Sequence, residues 1–167
     1  MTVPDNAVDY TKDVCDFCSR VYDVGSGHVC ATMPIERLIE VEKYGPSYDT
    51  LVSCFGEIVV AVADNDYQGD TRYLVRGADG RWGVVIVGWG SCSGCDALQA
   101  CSKPKDYAEL RDSIGAGATW FDTAAACATY LTDKDWEASY LREAETRDFV
   151  EQCLAALAPP ENTEGKP

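Results

Sequence analysis

Histidine is nearly missing from this chain: His28 is the only one in 167 residues. A Ser-His-Asp triad or a Cys-His dyad would have to use that single ring, so chemistry built on a histidine base is poorly served. Positive charge is scarce as well, with 14 Lys and Arg against 28 Asp and Glu, a net charge of −14. That balance disfavours nucleic acid and anionic membrane as bulk partners. It fits solubility, or an acidic face that docks on a basic protein surface. No run of eighteen apolar residues occurs, so no membrane span is expected. The opening MTVPDNAVDYTKD lacks a basic region followed by an apolar one. No secretory signal is therefore expected, and a cytoplasmic location is.

Cysteine, by contrast, is plentiful. There are nine, an odd number that argues against a complete disulfide framework. In a reducing compartment cysteines bind metal or pack more often than they pair. The length suits one domain, and 46% apolar with 25% charged residues is an ordinary globular composition.

Residues 1–13 read as a flexible lead-in and 159–167, PPENTEGKP, as a disordered tail. Residues 14–46 read as a cysteine-rich hairpin followed by a helix over PIERLIEVEKYG, stopped by Gly45-Pro46. Residues 47–158 form the core domain. Three strands are expected there: EIVVAVADND, TRYLVR and RWGVVIVGWG. In the second, Tyr73 and Val75 share one face and Arg72, Leu74 and Arg76 the other. GADG at 77–80 is a hairpin signal that makes the last two strands antiparallel neighbours. The third strand, nearly all apolar, should be the most buried. Then come a short helix start at SCSGCDALQACSK, a helix with Tyr107, Leu110 and Ile114 on one face, a short strand at ATWF, and C-terminal helices, the first capped by Asp122. The class is α+β: a small antiparallel sheet of three or four strands, covered on one side by C-terminal helices, with a zinc-knuckle-like N-terminal hairpin.

Cys15-x-x-Cys18, then His28-x-Cys30, offers four metal ligands. A Cys-x-x-Cys turn aims two thiolates at one ion, and residues i and i+2 of a strand point to one side. Three sulfurs and one imidazole suit a structural zinc with no open position. Cys54 could replace one of these ligands.

A second Cys-x-x-Cys lies in GWGSCSGCDALQAC, 88–101. Read as a redox site, Cys92 and Cys95 lie between an apolar strand and a helix, locally like a thioredoxin active site. Asp96 beside Cys95 would be expected to raise its pKa. Read as a metal site, Cys92, Cys95 and Cys101 would need a fourth ligand, or Cys92 and Cys95 would join Cys15 and Cys18. Read structurally, Ser93-x-x-Asp96 caps a helix and the thiols pack as small apolar groups. The structural reading is the preferred one here. The glycine-rich turn could also hold an anion, although no cation follows until Lys103.

QGD (68–70), WGSCSGCDAL (89–98), TWFDT (119–123) and DW (135–136), in this order over residues 57–150, resemble a family of small uncharacterised proteins of phages, prophages and some bacteria. That family carries no known activity, so the resemblance assigns no catalytic role. It implies a phage-type accessory protein acting in the host cytoplasm on a host protein or a small ligand.

Elsewhere the chemistry is thin. Asp64, Asp66 and Asp70 could pair as catalytic carboxylates or hold calcium, but no twelve-residue loop pattern supports the latter. Cys127 and Cys153 lie in apolar helical stretches, as inert core residues would. Among the aromatics, Tyr67 at a turn and Trp89 at a strand end are best placed for a ligand or partner. The expectation is thus a non-enzymatic acidic binding or regulatory protein. Its contact site comprises Tyr67, Asp70, Trp89, Ser91, Ser93 and Asp96, and its alternative role is thiol–disulfide exchange by Cys92 and Cys95.

Overall fold

The structure, a computed structural model, describes residues 46–136 and 142–159 and the backbone of 12–14 and 21–23. The expected zinc ligands Cys15, Cys18, His28 and Cys30, the helix expected over 34–45 and residues 160–167 lie outside the described residues. Strands β1 (Lys12–Val14) and β2 (Val21–Asp23) pair antiparallel, with Asp13 opposite Tyr22. β1 thus begins inside the stretch read as a flexible lead-in.

The core domain runs α1 (Tyr48–Ser53), β3 (Gly56–Ala63), β4 (Gly69–Gly77), β5 (Trp82–Trp89), α2 (Ala97–Ala100), α3 (Pro104–Gly117), β6 (Thr119–Phe121), α4 (Ala124–Asp133) and α5 (Glu143–Leu157). The sheet is antiparallel, in the order β3-β4-β5-β6. This is the α+β architecture expected, with ATWF as its fourth strand. The GADG turn closes through Gly77 N–H to Arg81 O and Gly80 N–H to Gly77 O, both at 2.9 Å. Gly80 takes φ +84°, a conformation that disfavours any residue with a Cβ.

Helices cover both faces of the sheet rather than one. On the first face Tyr73, Val75, Val85 and Val87 pack with Leu51, Val52 and Cys54 from α1 and its cap and with Ile114 of α3. On the second, Val60, Val62, Leu74, Trp82 and Val84 pack with Cys127 and Leu131 of α4 and with Phe149, Cys153 and Leu157 of α5. The cause is legible in β4 and β5. Both strands carry large apolar side chains at odd and even positions, and a sheet with two apolar faces needs two covering layers. α1 was not anticipated. Ser47 caps it by accepting from Thr50 N–H at 3.1 Å, yet the segment spans only two turns and shows little periodicity.

One feature was not foreseen and one expectation gives way. The register of β3 slips between Ile58 and Val60, a bulge that leaves Ile58 against the first core and Val60 in the second. α4 is capped by Thr123, not Asp122: the Thr123 hydroxyl accepts from Ala126 N–H at 3.1 Å. β5 is the most buried strand of the sheet, as expected, although Ile86 is 37% exposed and Trp89 half-buried. The two-faced placement of Tyr73 and Val75 against Leu74 holds, and Cys127 and Cys153 are fully buried core thiols.

Leu51 and Phe149 are fully buried in different cores. Truncation of either to alanine should lower unfolding free energy by roughly 2–5 kcal/mol, against under about 1 kcal/mol for Ile86→Ala. Urea denaturation reads all three, and a neutral Leu51→Ala would contradict the α1 layer.

Candidate functional site

β5 ends at Trp89, opposite Gly69 of β4, and the chain then turns through 90–96 into α2. The turn is closed by the Cys92 carbonyl, which accepts from Cys95 N–H at 2.9 Å and Asp96 N–H at 2.8 Å. Gly90 is required by close approach: a Cβ there would lie 2.5 Å from the Cys95 carbonyl oxygen and 2.7 Å from its Sγ.

Asp96 holds this turn. Its carboxylate is buried and accepts from Gly90 N–H at 3.0 Å, Leu98 N–H at 2.8 Å, Gln99 N–H at 3.1 Å and the Tyr48 hydroxyl at 2.9 Å. Gln99 Nε2 also donates to Gly90 O at 3.0 Å. Burial pushes the Asp96 carboxyl upward, but the Gly90 and Gln99 N–H groups, the Tyr48 hydroxyl and Leu98 N–H outweigh it and hold the group below its ordinary range. The Tyr48 phenol is pushed up to about 12, chiefly by burial, with Asp96 adding to it. The expected Ser93 cap is therefore corrected. Ser93 is exposed, and Asp96 is itself the N-cap of α2, because a carboxylate has lone pairs enough for several donors where a hydroxyl has few.

Cys92 and Cys95 are both exposed, which overturns their reading as packed apolar groups. Their Sγ atoms lie 3.0 Å apart. Ser91 Oγ is 4.0 Å from Cys95 Sγ, which also reaches Cys92 O at 3.3 Å. The Cys92 side chain, then the backbone at Cys92 and the Ser91 hydroxyl, hold the Cys95 thiol below its ordinary value, with desolvation opposing. The expected rise caused by Asp96 is thus corrected: hydrogen bonding to the sulfur prevails. Cys101 does not join the pair. Its Sγ lies 3.2 Å from Ala97 O, and its thiol is raised by burial and then by Asp106 and Asp96. Among the described residues, no three His, Cys, Asp or Glu side chains converge as a metal would need.

Other anticipated residues fall around this end of the sheet. Asp70 lies opposite Gly88, and Asp70 Oδ1 is 3.4 Å from where a Gly88 Cβ would stand. Its carboxyl is raised by burial and by Asp64, with Arg72 offsetting. Tyr67 is 69% exposed, and its N–H donates to Asp66 at 2.7 Å. Asp64 and Asp66 are spoken for. Arg72, fully buried, donates to Asp64 at 2.8 Å; Arg142, at the start of α5, pairs with Asp66 and stands 3.7 Å from Asp64. That pairing disfavours their use as a carboxylate dyad or calcium site. A separate groove of about 610 Å³ between α4 and α5, lined by Leu131, Trp136, Thr146, Val150 and Leu154, contains none of the anticipated site residues. Tyr48 and Gln99, which fix Asp96, carried no signal in the sequence: Tyr48 acts across 48 residues.

Comparison with protein-family models, curated proteins and solved structures gives no match. Among the described residues, no helix is long and apolar enough to cross a membrane.

Asp96→Ala should cost about 2 kcal/mol or more, since it strips one acceptor from three N–H groups and a phenol, whereas Ser93→Ala should be close to neutral. Because the folded Asp96 pKa is depressed, its contribution is complete above the unfolded value of about 4 and fades as pH falls through the folded one. Urea denaturation across that acid window, wild type against variant, checks both statements. A second expectation concerns the thiols. Iodoacetamide labelling read by mass spectrometry should give Cys95 a pH midpoint below the ordinary value of about 8.5 and below that of Cys101. Cys92→Ala should move the Cys95 midpoint up; identical midpoints for Cys95 and Cys101 would count against the geometry.

Proposed function

We propose that the protein works by thiol–disulfide exchange through Cys92 and Cys95. One observation carries this reading: two exposed sulfurs 3.0 Å apart on a turn fixed by a buried carboxylate. The separation is about 1 Å longer than an S–S bond of about 2.05 Å, so closure asks for a small local motion rather than refolding. Exposure matters as much as distance, because exchange needs a thiolate that an incoming disulfide can reach in line.

The Cys95 thiolate attacks one sulfur of a substrate disulfide, forming a mixed disulfide and expelling the other sulfur as a thiolate. The Cys92 thiol, losing its proton to solvent, then attacks the Cys95 sulfur. The Cys92–Cys95 disulfide forms and the second substrate thiolate leaves. The protein dithiol is oxidised by two electrons, and an external dithiol such as dithiothreitol restores it. The acidic binding role fits beside this reading, since an exchange protein must dock its target. Tyr67, Asp70, Trp89, Ser91 and Ser93 are the residues for that contact. A structural zinc on Cys15, Cys18, His28 and Cys30, and a phage-type accessory role acting on a host protein, stay compatible with it.

Reduced protein should convert a small disulfide to thiols stoichiometrically and acquire the Cys92–Cys95 disulfide. Cys92→Ser should stall at a mixed disulfide on Cys95, and Cys95→Ser should lower the rate by at least about 10²-fold, as loss of the low-pKa nucleophile implies. Mass spectrometry of the products decides it. Zinc bound to wild type but lost from Cys92→Ser would instead make the pair a metal site.

A further inference from the structure

The charge around the dithiol is one-sided. The stretches 44–71 and 82–102, which supply α1, the β3–β4 turn, β5 and the dithiol turn, contain no lysine or arginine. They contain six carboxylates: Asp49, Glu57, Asp64, Asp66, Asp70 and Asp96. Among the described residues, Arg72 and Arg142 reach in from outside these stretches, and both are engaged by Asp64 and Asp66. Among the described residues, Asp96 has no cationic partner, and Asp70 has no ion pair, although Arg72 partly offsets its charge. Asp96 adjoins Cys95 in the chain, and its donors are peptide N–H groups, the Gln99 amide and a phenol. These are neutral groups, which stabilise the negative charge without cancelling it. Asp70 lies over Gly88, two residues along the chain from Gly90, the residue on which Cys95 Sγ rests. Beyond these, the whole chain carries −14.

We propose that the site selects cationic disulfides, those flanked by lysine, arginine or free ammonium groups, and disfavours anionic ones. This rests on the exchange reading above. A disulfide arriving at Cys95 brings its flanking charges up to the residue before Asp96 and into the field of the surrounding carboxylates, which acts over about one Debye length at ordinary salt. Ammonium groups there are attracted and steer the encounter, while carboxylates are repelled. The partner chemistry is that of a basic protein or peptide whose cystine sits among its positive side chains.

The test uses the reduced full-length protein, freed of excess reductant, with cystamine as the cationic disulfide and oxidised glutathione as the anionic one. Dithiothreitol, run in parallel, supplies the intrinsic ratio of the two rates. At about 0.01 M salt the protein should favour cystamine by at least about tenfold beyond the dithiothreitol ratio, and at about 1 M salt that excess should collapse. Asp70→Asn should shrink the low-salt excess while the thiols still react. A ratio equal to that of dithiothreitol at both salt concentrations overturns the selectivity and leaves exchange standing. If neither disulfide is reduced while Cys92 and Cys95 titrate as free thiols, the exchange reading itself fails, and the selectivity with it.

Discussion

The carboxylate of Asp96 is the constraint on which the candidate site depends. It gathers the end of β5 through Gly90, the first turn of α2 through Leu98 and Gln99, and α1 through Tyr48. Of these, α1 is distant in sequence, and none is joined to another by strand pairing. A buried carboxylate is unfavourable unless its lone pairs are filled, and filling them fixes the direction of every donor that does so. The dithiol turn is therefore not a free loop. Its entry at Gly90 and its exit at Asp96 are tied to one side chain, and Cys92 and Cys95 are displayed between the ties.

The sandwich supplies the rigid support behind that turn. β4 and β5 are central strands with apolar side chains on both faces, so α1 and α3 close one core and α4 and α5 the other. Tyr48, which reaches Asp96, also packs against the first core, so that core and the turn's anchor share an element. At the other edge of this end, Arg72 and Arg142 bind Asp64 and Asp66 and pin the start of α5 to the β3–β4 turn. Among the described residues, the fully buried Arg72 guanidinium has no partner at Nε and Nη2, and Asp64 is the side chain that anchors its charge. Removing Asp64 would leave an uncompensated buried cation, which is why this pair is structural before it is anything else.

Much of the fold was legible from period and punctuation. The alternation in TRYLVR, the GADG turn and the Tyr107, Leu110, Ile114 spacing all correspond to observed elements, because each is a local pattern. What escaped was non-local or too short to show a period. α1 has six residues, so one helical period is barely sampled, yet Leu51 and Val52 in it are fully buried. The second helix layer escaped because apolar residues at successive positions of a strand announce burial without naming the cover. The bulge at Ile58 was unreadable because an extra residue in a β-branched run leaves the composition unchanged. In the site, the residue types at 92, 95 and 96 were identified but their roles were exchanged. Asp96 was read as a charge acting on a thiol and as the second member of a Ser93 cap, and proved to be the N-cap itself; the thiols were read as packing and proved exposed.

That exchange of roles has one physical source. Cys-x-x-Cys spacing brings two sulfurs near each other whether they bind metal, exchange disulfides or pack, so spacing alone is silent among the three. Burial separates packing from the others. Cys127 and Cys153, fully buried with burial raising both thiols, show what packed cysteines look like in this protein; Cys92 and Cys95 differ from them in exposure, and Cys95 in the direction of its shift. A third and fourth ligand separate metal from exchange, and the next thiol along the chain, Cys101, turns to the backbone of its own helix. The pair is therefore exposed and close, and its carboxylate neighbour is occupied by neutral donors. Those properties are what the proposed exchange needs, and among the described residues the negative field beside the pair is the feature on which the proposed preference for cationic disulfides turns.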